Sequence, residues 1–477
     1  MDDNRGARGL SRRDFIGATA AAASGLALSE CGWSRETSGE LPNPEDSGID
    51  HIIVLMMENR SFDHFLGWVP GADGMQAGIR LVDAAGTAHE SYDLVPDFQN
   101  CYFADPDHSY AGGRREINGG AMDGFLLTQP PGDTFPVGYY TADSLPFFKG
   151  CAEHWTICDR YFSGILSSTT PNRIYMHAGQ TDRLANTVEI SALPTVWDRM
   201  MQIGRSVAYY YVDVPYTAFW GEKYQAFSKN YSLQELADDI AAGRLANLTF
   251  IDNVGTEFEE MFGLSRDDHP LADIRDGQAF LNEIYDAVRT GPQWERSLLV
   301  IVYDEWGGFY DHVAPPFAPV SAAEAALGND GRLGCRVPCV LIGPRVRRGV
   351  VEHTQFDPNS ILNLLSWRFG FDPLGVRGNS TNLALALDWG SRPSVDAPAF
   401  DVPPGPFGGL CMPLPTLAQL AGIPMPNPPP DIVPVPLAQQ IQLPPVPGLD
   451  IPEPLRRLVD HERELEALRD LARRFGL

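Results

Sequence analysis

The sequence predicts an α/β domain built on a central, mostly parallel sheet, and two observations carry that prediction. The clearest strand-like apolar runs, 52–57, 298–303 and 339–342, are continuous and do not alternate with polar residues. A strand covered by helices on both faces has no solvent side, so it needs no polar alternation. These runs are interleaved with stretches of helical period at 233–242, 278–290 and 360–369, between Gly48 and about Trp389. Strand–helix alternation lays parallel strands side by side. With 477 residues, 44% of them hydrophobic, the chain has ample material for such a core.

Taken in order, residues 1–35 read as an export address. Ser11-Arg12-Arg13-Asp14-Phe15-Ile16 leads into an Ala-rich apolar run from Phe15 to Leu28. That run is shorter than the ~20 residues that span a bilayer and suits a signal segment. Paired arginines ahead of it mark the twin-arginine type, which exports folded cargo, so a secreted or cell-envelope location is expected. Glu30 stands where a lipoprotein cleavage site has a small residue, which leaves lipidation of Cys31 open. Beyond Cys31 there are cysteines at 101, 151, 158, 335, 339 and 411, an even number compatible with up to three disulfides outside the cytoplasm. Their spacing departs from a zinc ribbon.

Residues 36–391 form the expected main domain. Residues 392–454, with Pro403-Pro404, Pro428-Pro429-Pro430 and Pro444-Pro445, predict an extended surface segment. Residues 455–477 predict an amphipathic helix whose Leu455, Leu458, Leu465, Leu468 and Leu471 stripe docks on the domain. Lys and Arg number 36 against 62 Asp and Glu, a net charge of −26. That sign excludes an electrostatic nucleic-acid binder. An anionic substrate would need a local positive centre, for which a bound metal is the natural candidate.

Chemistry is concentrated where the strands end. The run 52–57 passes directly into Glu58-Asn59-Arg60-Ser61-Phe62-Asp63-His64. The run 298–303 passes into Asp304-Glu305-Trp306-Gly307-Gly308, followed by Asp311-His312. Open α/β sheets bind ligands at the carboxyl ends of their strands. Gathering Glu58, Asn59, Asp304 and Glu305 at one edge is costly without a cation, because close carboxylates repel. An oxygen-rich donor set favours a hard divalent ion such as calcium, magnesium or manganese, with zinc also admissible. A third segment, Ser167-Ser168-Thr169-Thr170-Pro171-Asn172-Arg173, opens a helix with Pro171 near its first turn. A hydroxyl at that end suits an attacking alkoxide beside a phosphoryl oxygen, though a plain Ser/Thr cap uses the same letters. Tyr209-Tyr210-Tyr211 reads as a buried strand or as the aromatic wall of a pocket, since aromatic faces attract quaternary ammonium groups.

These segments, together with Asp107-His108-Ser109 and Asp268-His269-Pro270, occur in an order that resembles the bacterial phosphoesterase family of phosphatidylcholine-type phospholipases C and related acid phosphatases. The resemblance runs from about Asp50 to Phe371. It implies an alkaline-phosphatase-like sandwich, with a central mostly parallel sheet flanked by helices, and makes residues 36–391 a phosphoesterase catalytic domain. It also implies one divalent metal held by Glu58, Asn59, Thr169, Asp304 and Glu305. Thr169 is preferred as nucleophile because the family's hydroxyl stands two residues before the proline; Thr170 stays open. His108 and His269 match histidines that bind the phosphoryl group or serve the leaving group, and His312 is a further catalytic candidate. Asn172 and Arg173 are expected at the substrate, Arg173 being equally suited to hold a carboxylate of the metal shell.

The activity so implied is hydrolysis of phospholipid phosphodiesters through a phospho-threonine, with a broad phosphomonoesterase as the alternative. A catalytically silent binding protein of the same fold should have lost one of Glu58, Asn59, Asp304 or Glu305, and all four are present. The expected partners are a phospholipid or a small phosphate ester, with transient membrane-surface contact and no nucleic acid; oligomeric state is not specified. The chain departs from the family at two places. His177 lies too close to Asn172 to be the family's intervening histidine, and Pro358 stands where histidine is frequent. Both bear on substrate and pH optimum more than on reaction class.

Overall fold

A computed structural model describes residues 41–411, apart from 102, 213, 214, 231, 232, 254 and 256, together with 469 and 473. The export signal, Cys31, the Pro-rich stretch beyond 411 and the closing helix as a whole lie outside the described residues.

Eight strands form the main sheet: β1 (His51–Met57), β2 (Thr156–Cys158), β3 (Val207–Tyr211), β4 (Ser228–Asn230), β5 (Leu248–Asp252), β6 (Ser297–Tyr303), β7 (Cys339–Ile342) and β8 (Val350–Glu352). Their order across the sheet is β8-β2-β7-β6-β1-β5-β3-β4. Neighbours run parallel except where β7 meets β6 and β2. β6 is buried along its whole length and β1 from Ile52 onward, as the unbroken apolar runs require. The central, mostly parallel sheet flanked by helices is therefore present, with one reversed strand. Tyr209, Tyr210 and Tyr211 lie buried in β3.

Register positions the chemistry. Met57 pairs with Tyr303, and Met56 pairs with Asp252. Three parallel strands thus finish at one level, and the residues next in the chain after each are delivered to the same edge. The flanking helix Pro358–Phe369 shows why Pro358 is there: Asp357 and Ser360 form a reciprocal capping box, Pro358 occupies the first turn, and Gly370 ends the helix in the left-handed region. Proline at this position serves the start of the helix.

Residues 392–411 pass along the domain without a helix. Phe400 stacks on Tyr285 with ring centroids 4.8 Å apart, and the backbone N–H groups of Phe407 and Gly408 donate to Asp276. Gly409 exchanges hydrogen bonds with Gln99, and Cys411 is disulfide-bonded to Cys101. Cys151, Cys158, Cys335 and Cys339 are buried free thiols, so one of the three admissible disulfides is formed among the described residues. Cross-linking positions 310 residues apart restricts the unfolded chain strongly. Replacing Cys101 and Cys411 together by serine is expected to cost about 2–5 kcal/mol in urea unfolding. A loss well under 1 kcal/mol would mean that this strap adds little to the fold.

Candidate active site

The edge of the sheet is closed by two interlocked turns. Asn59 adopts a left-handed conformation, with φ of 60°. Gly307, at φ +64°, packs so tightly that a Cβ there would lie 2.4 Å from the Asn59 carbonyl oxygen. Glycine is required at that point both for conformation and for space. Asp304 Oδ1 accepts from the backbone N–H groups of Asn59 at 3.3 Å and Glu305 at 2.8 Å, tying the turns together.

Thr169 is the first residue of the helix Thr169–Ala178, and its hydroxyl donates to Glu58 Oε1 at 3.0 Å. Thr170 is oriented by its backbone N–H, which donates to Asn186 Oδ1 at 2.8 Å. Arg173, one turn further on and fully buried, joins the carboxylates: Asp304 at 3.1 Å, Glu58 at 3.5 Å, and Asp252. One guanidinium against several buried acids leaves an excess of negative charge. Burial therefore pushes Glu58 up to about 8, with Arg173 opposing and Asp304 adding to the rise. Glu305 is raised well above the ordinary carboxylate range, by burial first and Asp304 second. Both amide atoms of Asn59, and Glu305 Oε1, are buried with no hydrogen-bond partner among the described residues. Orphaned donors and acceptors of this kind are rare in folded proteins and ask for a ligand. Glu58, Asn59, Thr169, Asp304 and Glu305 all offer oxygen atoms, the donor type a hard divalent cation takes, and both Asp304 oxygens also accept hydrogen bonds from the protein.

A second wall carries the histidines. The rings of His108 and His269 stand perpendicular with centroids 6.4 Å apart. Asp105 Oδ2 lies 3.8 Å from His108 Nδ1 and 4.0 Å from His269 Nε2, and His108 Nε2 lies 4.0 Å from Glu305 Oε1. His269 Nδ1 meets Glu260 Oε2 at 3.0 Å. Burial alone would lower His269, yet Glu260 and Asp105 hold it well above the ordinary histidine value.

Three further expected residues, Asn172, Arg173 and His312, are held by protein partners. Asn172 accepts from the Ile165 N–H and donates to the carbonyls of Ser167 and Ser168, so it shapes the loop ahead of Thr169. Arg173 is enclosed by protein carboxylates. Both hold the frame of the site, and for Arg173 this is the carboxylate-holding role that the sequence equally allows. His312 is hydrogen-bonded to Asp63 and Asp73 and lies beside Arg336. Asp63, Asp311 and His312 place ligand atoms within 4.8 Å of one another. Arg336 already pairs with Asp63 and Asp311 at 3.0 Å each, supplying the positive charge that such a cluster needs. His177 is buried among Trp197, Tyr209, Trp220 and Phe250, and burial depresses it to about 3.

Asp105, Asp252 and Glu260 were not legible as site residues. Asp252 had a signal: 248–252 is another apolar run ending in a carboxylate, the pattern that exposed Glu58 and Asp304. Asp105 and Glu260 lie in loop and short-helix segments with no such marker.

The phosphoesterase family model matches residues 49–372. The chain belongs to the phosphoesterase family. Non-specific phospholipase C1 of Arabidopsis thaliana is 30% identical over 366 residues, 68% of this chain and 67% of its own length. Phospholipase C B of Mycobacterium tuberculosis is 30% identical over 435 residues, 76% of this chain and 82% of its own. Among solved structures, the phosphonate monoester hydrolase of Agrobacterium radiobacter aligns over 72% of this chain and 78% of that chain, at 10% identity and a TM-score of 0.36. This phosphoesterase is a hydrolase acting on phosphate esters, and the silent binding protein falls away as an alternative.

Proposed function

We propose that this phosphoesterase is an exported, metal-dependent phospholipase C that cleaves phospholipid phosphodiesters through a phospho-threonine on Thr169. The observation that carries the reading is the Thr169 hydroxyl at a helix N-terminus, 3.0 Å from Glu58, with the buried Asn59 amide and Glu305 Oε1 lacking hydrogen-bond partners among the described residues. Relatives named as phospholipases C point to a phospholipid substrate met at a membrane surface. The arginine pair at Arg12-Arg13 and the disulfide outside any redox motif support export.

A divalent ion held by Glu58, Asn59, Thr169, Asp304 and Glu305 would lower the hydroxyl pKa and offset phosphate charge. Glu58 accepts the Thr169 hydroxyl hydrogen and aims its oxygen. Thr169 Oγ1 forms a bond to phosphorus as the bond to the diacylglycerol oxygen breaks, and His269 gives that oxygen its proton. Water then cleaves the phospho-threonine, releasing the phosphorylated head group.

The experiment compares p-nitrophenyl phosphorylcholine with p-nitrophenyl phosphate on metal-replete protein. A diester preference supports the phospholipase C reading; a monoester preference converts it to an acid phosphatase with the same site. A pH profile provides a further check. His269 is raised above its ordinary 6.5, so its acid form persists beyond that value. For an alcohol leaving group, kcat/KM is expected to hold past pH 6.5 and fall as pH rises through the raised pKa. His269→Asn should lose about 10²-fold and flatten that limb. A limb that rises with pH over the same range would exclude the acid role.

A further inference from the structure

We infer that Glu260 is the positioning residue for His269, holding Nδ1 so that Nε2 is the nitrogen that delivers the proton. The inference rests on the phosphoesterase reaction proposed above and assigns a role to a residue that carries no motif. Glu260 Oε2 and His269 Nδ1 are 3.0 Å apart, with side chains 1% and 3% exposed. The Glu260 carboxylate is the nearer acceptor at Nδ1, with the Pro270 carbonyl at 3.3 Å, and it fixes both the ring plane and the tautomer, leaving Nε2 to face Asp105 and the His108 ring. The Nε2 proton then goes to the departing alcohol oxygen, and the imidazole left behind keeps its Nδ1–H on Glu260.

The surroundings hold both partners still. On the histidine side, the His269 N–H donates to Asp267 Oδ1 at 3.2 Å, and Arg60 Nε donates to the preceding Asp268 carbonyl at 2.6 Å. Tyr303, at the end of β6, hydrogen-bonds the Asp268 carboxylate. On the glutamate side, Glu260 sits in the short helix Glu257–Met261. The Cys411 N–H donates to the Met261 carbonyl at 2.6 Å, so the disulfide-anchored strap closes the end of that helix. Gly263 packs so closely on the strap that a Cβ would lie 2.3 Å from the Gly408 backbone. A carboxylate fixed by this much structure, and directed at one ring nitrogen, is placed to orient that ring.

Leaving-group dependence separates positioning from general support. Glu260→Ala and Glu260→Gln in the full chain would be assayed for kcat/KM on p-nitrophenyl phosphorylcholine and on dihexanoyl phosphatidylcholine. Nitrophenolate departs without a proton, whereas the diacylglycerol alkoxide does not. Glu260→Ala is expected to lower the lipid value about 10²-fold and the nitrophenyl value less than about tenfold. Glu260→Gln, isosteric and still an acceptor, is expected to fall between wild type and Ala on the lipid, and it serves if Ala does not fold. Equal losses on both substrates, or none, overturn the inference. An activity-independent readout is the ¹⁵N spectrum of the histidines. In wild type the His269 Nδ1–H should be hydrogen-bonded and slow to exchange, and Glu260→Ala should release it. If neither substrate is turned over by wild type while this signal behaves as stated, the reaction reading fails and the positioning stands.

Discussion

Thr169→Ala is expected to abolish turnover, lowering kcat/KM by about 10⁴-fold or more on both diester and monoester substrates. The size reflects the group removed. Thr169 Oγ1 is the hydroxyl hydrogen-bonded to Glu58, whereas the contact of Thr170 with Asn186 is made by its backbone N–H. The lost hydrogen bond is worth only about 1–2 kcal/mol of stability, so the variant should stay folded and its urea midpoint should move little. Thr169→Ser retains a hydroxyl and should recover much of the rate. Thr170→Ala should remain within about tenfold of wild type, since a residue that only shapes the helix start contributes no reacting atom. Acid quenching during turnover, followed by peptide mass spectrometry, should find phosphorylcholine on Thr169 with a choline diester and a phosphoryl group there with a monoester. A phosphoryl group on Thr170, or full activity in Thr169→Ala, would assign the nucleophile elsewhere.

Glu58, Asn59, Asp304 and Glu305 could be picked out from the sequence because each pair comes directly after a buried strand, and parallel strands end together. The reversed direction of β7 could not, since an apolar run such as Cys339–Ile342 carries no polarity. Arg173 was found but its role stayed divided, because the deciding partner, Asp252, arrives from another strand through a register that no local pattern encodes. The same holds for Glu260 and Asp105: their meaning comes from the histidines they face. The disulfide was hidden for a related reason, as Cys411 reaches Cys101 only through the path of the strap. His312 follows Asp304-Glu305 closely in sequence, yet its partners Asp63 and Arg336 arrive from distant segments that no local pattern names.

Arg173→Met is expected to destabilise the metal-free protein by about 3–5 kcal/mol at pH 8, because it leaves buried carboxylates without their cation. Arg173 donates to Asp304 at 3.1 Å, to Asp252, and to the Met57 carbonyl at 3.4 Å, with Glu58 at 3.5 Å. Lysine cannot replace that fork, since a single ammonium does not reach carboxylates on three sides, so Arg173→Lys should recover only part of the loss. The pH dependence has a definite sign. Glu58 is raised from 4.5 to about 8, so the folded state binds its proton more tightly than the unfolded state does. Stability tied to that proton is complete below 4.5 and is lost as pH rises through about 8. Removing Arg173 takes away the main influence lowering the Glu58 pKa, so the variant should lose more between pH 5 and pH 8 than wild type does. A divalent ion added at pH 8 should restore part of the stability by supplying positive charge to the same oxygens, and a chelator should reverse it. Urea unfolding of both proteins at the two pH values, with and without metal, reads all three effects. A cost below about 1 kcal/mol at pH 8, unchanged at pH 5 and indifferent to metal, would mean that the carboxylates at this edge do not share one charge balance.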